Sequence, residues 1–287
     1  MNEDKSNRSL LADRIARPRF LYGTAWKEEA TRSLAVLAIQ QGFRGIDTAN
    51  QRRHYHEAAV GEAITTAIEA GMVTRDDLFL QTKFTFRPGQ DHRLPYDPAA
   101  PIARQVAQSF ASSLEHLCVD RIDSYLLHGP MYSDGLSSMD WEAWRSIEAI
   151  HDSGQVRLIG VSNFSVEQLQ LLFEKARVKP TFVQNRCYAV RGWDRAVRNF
   201  CNANEIVYQG FSLLTANRGI LACPELALIA KRLGRTIPQI IFRFAIDIGM
   251  LPLIGTTNAG HMRQDLDVFD FQLDQDDITK IQLLVAT

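Results

Sequence analysis

Short runs of β-branched and aromatic residues alternate along the chain with longer stretches whose apolar residues recur every third or fourth position. The short runs predict eight strands, at Phe20–Thr24, Phe43–Thr48, Leu78–Lys83, Ile122–His128, Leu158–Ser162, Phe182–Asn185, Ile206–Phe211 and Leu251–Gly255. The longer stretches predict helices at Lys27–Gln41, Glu57–Ala70, Ala99–Leu117, Met139–Ser153, Val166–Ala176, Asp194–Ala203 and Pro224–Leu233. In the second of these, Ala58, Val60, Ala63, Ile64, Ala67 and Ile68 trace one buried face. Thr236–Gly249 is expected to form an additional helix before the last strand. Asp274–Leu284 is expected to close the chain, with Asp276 and Asp277 placed to suit the positive end of its dipole.

Strands separated by helices call for a parallel sheet with right-handed crossovers. An open doubly wound sheet or a closed barrel would satisfy the pattern. Eight units in 287 residues favour a (β/α)8 TIM barrel of the α/β class. No linker or break in composition interrupts it, so a single domain is expected over residues 18–287, preceded by a poorly ordered extension over 1–17. Two loops stand out, Arg87–Pro101 with four prolines and Gly129–Ser138. In a barrel both lie at the C-terminal rim, where substrate pockets are walled.

Composition narrows the function. Hydrophobic residues make up 46% and the formal net charge is −1. That balance gives no electrostatic reason to expect nucleic acid or an anionic membrane as a partner. No apolar run is long enough to span a bilayer, and the N-terminus lacks the apolar segment of a secretory signal. The four cysteines (Cys118, Cys187, Cys201 and Cys223) form no Cys-x-x-Cys pair and have no histidine cluster nearby. They suggest reduced thiols in a cytoplasmic protein, with no metal site. No exposed apolar stripe is evident, and a monomer is expected.

Polar residues fall repeatedly at the C-terminal ends of the predicted strands: Asp47, Lys83, His128, Ser162 with Asn163, and Gln184. A barrel brings these ends to one mouth. An aspartate holds a lysine charged, and a lysine beside a tyrosine favours the phenolate and lowers its pKa. A histidine opposite can orient a carbonyl oxygen. Tyr55, just beyond Asp47, is the candidate proton donor.

Several stretches occur together and in order: Phe-Leu-Tyr-Gly-Thr-Ala-Trp-Lys, Gly-Phe-Arg-Gly-Ile-Asp-Thr-Ala followed by Val60-Gly61-Glu62-Ala63, Gln-Thr-Lys, Leu-Leu-His, Ile-Gly-Val-Ser-Asn-Phe and Phe-Val-Gln-Asn. This set resembles the signature of the aldo-keto reductase family, from about Pro18 to the end. The resemblance implies a tetrad of Asp47, Tyr55, Lys83 and His128, and a nicotinamide carboxamide held by Ser162, Asn163 and Gln184. It implies Phe211 stacked on the nicotinamide ring, and Ser212 and Leu213 along the pyrophosphate. Gly23, Thr24 and Trp26 would lie near cofactor and substrate, with Trp26 and His128 contacting the substrate. No Gly-x-Gly-x-x-Gly follows a strand, which argues against a Rossmann domain.

The chain departs from that pattern twice. The usual spacing from Asp47 lands on Arg52, and counting back from Val60-Gly61 lands on His54. Tyr55 is the only tyrosine in the segment, so residues 50–54 are expected to form a longer loop that still presents it, as in a branch with Asp-Thr-Ala-Asn-Gln-x-x-His-Tyr. At the adenosine end, the Lys-Ser pair, the Arg and the Glu-Asn pair of the family align with Gly255-Thr256, His261 and Gln264-Asp265. Lysine and arginine are the ordinary means of holding a phosphate dianion. NADP(H) is the leading cofactor expectation, with NAD(H) as the alternative; Arg263 is a candidate replacement cation, and Thr256, Thr257 and the backbone amides at a helix start beyond them are candidate anion donors.

The expected activity is hydride transfer between a nicotinamide and a small carbonyl or alcohol. Two other readings stand beside it: a Lys83 Schiff-base aldolase, and a cofactor-binding regulatory protein with little turnover. The chain ends soon after Asp274–Leu284, so an open site is expected, with specificity left to the two rim loops and Trp26; Trp193 is read as a packing residue on a surface helix, with a place at the pocket as the alternative. His54, His56, His92 and His151 are expected to be solvated, and Tyr22, Phe79, Phe110 and Phe242 to be core aromatics.

Overall fold

A computed structural model describes residues 18–284. The extension expected over 1–17 lies outside the described residues. Eight parallel strands close into a barrel in sequence order. They are β1 (Leu21–Gly23), β2 (Gly45–Asp47), β3 (Phe79–Phe84), β4 (Ile122–Leu127), β5 (Val156–Ser162), β6 (Phe182–Arg186), β7 (Val207–Phe211) and β8 (Leu251–Ile254). The closing pair is β1 with β8, where Leu21 lies opposite Leu253.

Helices ring the barrel: α1 (Thr31–Gln41), α2 (Glu57–Glu69), α3 (Ile102–Leu117), α4 (Ser138–Asp152), α5 (Val166–Lys175), α6 (Arg195–Ala203), a single turn α7 (Arg218–Leu221), α8 (Pro224–Leu233), α9 (Ile237–Asp247), α10 (Ala259–Leu266) and α11 (Gln275–Leu283). Reciprocal caps start three of them: Ser137 with Asp140, Ser165 with Gln168 and Thr236 with Gln239. The α-helix expected from Lys27 begins only at Thr31, after a 3-10 turn over Glu28–Ala30, because Trp26 and Glu28 take φ of 61° and 43°, which a right-handed α-helix does not accommodate. Helix α10 was expected only as a helix start beyond Thr257, without bounds. Its short polar sequence hid its extent, although Asn258 caps it by accepting from the His261 amide.

Most of the core lies between strands and helices. Tyr22, Phe79, Phe110 and Phe242 are buried as expected. Trp193 is fully buried, edge-on to Phe244 with 5.0 Å between centroids, and its indole donates to the Ile281 carbonyl at 3.2 Å. It therefore walls no substrate pocket. A second cluster fills the barrel itself, made of Leu21, Phe79, Leu126, Leu158, Phe182 and Leu251. Helix α2 approaches α3 so closely at Gly61 that a Cβ there would sit 1.9 Å from the His116 carbonyl oxygen. Among the described residues, no helix is long and apolar enough to cross a membrane.

Candidate active site

Strand register sets the site. Asp47 pairs with Gln81, which pairs with Ser124, while Ser162 pairs with Gln184 and Gln184 with Gln209. Side chains two apart on a strand share a face. Gln81 lies one such step past the plug residue Phe79, and Gln184 one step past Phe182. A polar layer thus succeeds the apolar plug toward the C-terminal rim.

Asp47 and Lys83 meet inside the barrel. Lys83 is fully buried, and its ammonium donates to Asp47 Oδ1 at 2.7 Å, to Asp47 Oδ2 at 2.8 Å and to the Thr48 carbonyl at 2.8 Å. Those three bonds use all its protons. Burial pulls the Lys83 pKa down, and Asp47 opposes the shift.

Tyr55 is half-buried, with its ring centroid 5.3 Å from Lys83 Nζ and 5.9 Å from the His128 ring, edge-on to the latter. The loop expected over 50–54 is a compact turn, in which the Gln51 carbonyl accepts from the His54 amide at 3.1 Å and the Tyr55 amide at 3.0 Å. The Arg87–Pro101 loop braces it. Gln90 donates to the Asn50 carbonyl at 2.8 Å, Gln51 to the Gly89 carbonyl at 2.6 Å, and Arg93 to the Arg52 carbonyl at 3.1 Å. The structure therefore brings Asp47, Tyr55, Lys83 and His128 together.

One electrostatic expectation is corrected. The Tyr55 pKa is raised, first by burial and then by the Asp47 charge, and is not lowered by the lysine. Burial and the Asp47 carboxylate together outweigh the nearby ammonium, so the phenol keeps its proton. The His128 pKa is well below the usual imidazole range, owing to burial and then to Lys83 and His54. The neutral ring shares a hydrogen bond of 2.6 Å between Nδ1 and the Thr85 hydroxyl.

The remaining candidates line the same rim. Gly23 ends β1 so tightly that a Cβ would meet a Leu253 methyl at 2.6 Å. Thr24 is buried and donates through its hydroxyl to the Asp47 carbonyl at 3.0 Å. Ser162 donates to the Gln184 carbonyl at 2.7 Å. Asn163, with φ of 59°, donates to the His128 carbonyl at 2.8 Å. Gln184 directs its amide nitrogen inward, to Asp47 Oδ1 and to Gln209 Oε1, both at 2.9 Å. Phe211 is half-buried with the Arg186 guanidinium 5.5 Å from its centroid, and Ser212 follows with φ of 57°. Leu213 is buried.

Trp26 is 69% exposed and covers His54, with 4.0 Å between ring centroids. His54 is thus half-buried under an indole and not solvated as expected; burial is the first cause of its lowered pKa.

At the far end, Gly255 and His261 are exposed, Thr256 is half-buried and Gln264 is exposed. The Arg263 guanidinium is turned to Gln41 at 3.1 Å. The Asp265 carboxyl is buried, one of its oxygens lacks a hydrogen-bond partner, and burial raises its pKa to about 7.

Sequence reasoning missed Lys27. It is buried, crosses from the β1 loop and donates to the Gly255 carbonyl at 2.7 Å. Burial lowers its pKa to about 8. A Cβ on Gly255 would lie 3.4 Å from this ammonium. A cation therefore stands where the aligned sequence loses one. Its place beside Trp26 was the available signal. Gln209 was missed as well, though it shares the inward face of its strand with Phe211, two residues on.

A family model described as the aldo/keto reductase family matches residues 21–286. An uncharacterized oxidoreductase of Bacillus subtilis (strain 168) is 30% identical over 279 residues, covering 96% of this chain and 92% of that protein. The glyoxal reductase of the same organism is 30% identical over 259 residues, 89% of this chain and 83% of that protein. The crystal structure of a Bombyx mori aldo-keto reductase in complex with NADP matches with a TM-score of 0.77 at 27% identity, covering 92% of this chain and 87% of that one.

Proposed function

The chain belongs to the aldo-keto reductase family, and from that premise we propose that it reduces a small aldehyde or ketone with NADP(H), using Tyr55 as the proton donor. The observation that carries the reading is the convergence of the Tyr55 ring, the Lys83–Asp47 pair and neutral His128 at one end of the barrel. The Bombyx mori relative bound to NADP supports the cofactor.

The residues present fit such a cofactor. Ser162 and Asn163 offer a hydroxyl and an amide at one strand end, and half-buried Phe211 offers an aromatic face at another. Buried Lys27 supplies a cation beside the exposed backbone of Gly255. The nicotinamide would supply the hydride. Tyr55, whose raised pKa keeps it protonated at neutral pH, gives its proton to the carbonyl oxygen as that oxygen gains charge. His128, neutral, orients the same oxygen without competing for the proton. Lys83, held charged by Asp47, lies close enough to favour the phenolate left behind. The Lys83 protons are bound to Asp47 and Thr48, which disfavours Schiff-base chemistry at that amine.

The test titrates the protein with NADPH and NADH by tryptophan fluorescence, then adds an aromatic aldehyde and follows nicotinamide absorbance. Binding with turnover that disappears in Tyr55→Phe is the expected result. Binding without turnover over a broad carbonyl panel would favour a regulatory protein and overturn the reductase reading.

A further inference from the structure

We propose that Gln81 and Gln209 are positioning residues for the acid, a reciprocal amide pair that holds Asp47, and through it Lys83, in the arrangement Tyr55 needs. The inference rests on the reductase reading above.

Both glutamines are fully buried inside the barrel. An amide there is costly unless every hydrogen bond is made, and leucine or phenylalanine fills the neighbouring interior positions. Here the bonds close on one another. Gln81 donates to Gln209 Oε1 at 2.8 Å and Gln209 donates back to Gln81 Oε1 at 2.9 Å. The second Gln81 proton goes to Asp47 Oδ1 at 2.7 Å, and Ser124 donates to Gln81 Oε1 at 2.9 Å. Gln209 Oε1 also accepts from Gln184, whose other proton reaches Asp47 Oδ1. Asp47 Oδ1 therefore receives three N–H groups, from Lys83, Gln81 and Gln184. Flipping the Gln81 amide would turn its carbonyl onto a carboxylate, so the charge fixes its orientation and the partner fixes the rest.

The chemistry follows from sharing that charge. Asp47 is one of the two causes that hold the Tyr55 proton on. Amide dipoles aimed at Oδ1 spread the carboxylate charge and reduce its opposition to the phenolate. Without them Tyr55 becomes a weaker acid and gives its proton to the substrate more slowly. The other titratable groups facing this cluster are Glu57 from α2, which acts on Lys83, His128 after β4, and His54 from the loop. Among the described residues, none of these hydrogen-bonds to either glutamine.

The test compares the native chain with Gln81→Met, Gln209→Met and the double variant, because methionine keeps the volume and removes the amide. Ser124→Ala, which deletes only the outermost hydroxyl, serves as the gentlest probe and guards against a misfolded variant. The readouts are kcat and KM for carbonyl reduction, the pH dependence of kcat, and cofactor affinity by fluorescence. In Gln81→Met kcat is expected to fall on the order of tenfold, the scale of one hydrogen bond to a charged group, and in Gln209→Met by less, because Gln209 reaches Asp47 only through Gln81 and Gln184. KM and cofactor affinity stay near native values. The limb on which reduction declines with rising pH moves upward by about one unit, because that decline follows loss of the Tyr55 proton. The double variant is expected to lose less than the product of the two single losses, and Ser124→Ala to show a smaller change of the same sign. Native kcat and pH profile in both single variants, or a loss carried by KM alone, would overturn the positioning role and leave the reductase reading intact. A native chain that reduces no carbonyl would overturn both.

Discussion

Asp47→Asn isolates the charge inside the barrel. Lys83 is fully buried, and burial already lowers its pKa against the opposing pull of Asp47. Asparagine removes the negative charge but keeps the shape, so the folded state then favours the neutral amine. An unfolded lysine titrates near about 10.4. At pH 7 the cost of giving up that proton cannot exceed about 1.36 kcal/mol for each of roughly 3.4 units, or about 4.6 kcal/mol. That bound agrees with the 3–5 kcal/mol typical of breaking a buried pair on one side, roughly. The sign follows from linkage: a folded pKa below the unfolded one means the unfolded chain binds more protons, so stability rises with pH up to the unfolded value. At pH 9 the same bound shrinks to about 1.9 kcal/mol. Urea unfolding followed by circular dichroism at the two pH values measures the difference. Asp47→Asn combined with Lys83→Met removes both members of the pair and should recover most of the loss. A single variant as stable as the native chain, or a loss equal at both pH values and additive with Lys83→Met, would refute the account.

Three other outcomes are expected. Lys27→Met should weaken NADPH about tenfold and NADH far less, since the cation proposed to meet the phosphate beside Gly255 is removed. Because burial brings the Lys27 pKa down to about 8, its charge is lost as pH rises through that value, so the native preference for NADPH should narrow from pH 7 to pH 9 in fluorescence titrations; an unchanged ratio would remove Lys27 from cofactor selection. Gly61→Ala should cost roughly 1–3 kcal/mol and lower the thermal midpoint by several degrees, because its Cβ would overlap the His116 carbonyl in the α2–α3 contact.

Strand positions were legible because a buried parallel strand is a dense apolar run, and all eight were found within a few residues. The polar strand ends were legible for the converse reason: a charged Asp47 or Lys83 at the end of such a run has no place in an apolar core. The partners of those groups were not. Gln81 was seen only as part of a motif, and nothing local says that its amide meets Gln209, 128 residues away. Lys27 donates to a carbonyl 228 residues distant, a closure that only the β1–β8 seam creates. The start of α1 failed for a backbone reason, since the positive φ of Trp26 and Glu28 is a strained conformation that propensity does not forecast. The Tyr55 pKa went the other way because the sequence offers a lysine and cannot say how burial and the Asp47 charge will weigh against it.

The turn that carries Tyr55 is tied to the loop after β3 by three contacts, through Gln90, Gln51 and Arg93. The Gly129–Ser138 loop is anchored elsewhere, with Gln168 of α5 donating to the Tyr132 and Gly135 carbonyls at 3.1 and 2.8 Å. The mouth is therefore divided into a conservative half and a free half. Grafts and insertions between 129 and 138 can remodel what enters the barrel while the proton donor stays on its mount. The same edits between 87 and 93 would move donor and doorway together, so a library meant to change substrate preference belongs on the 129–138 side.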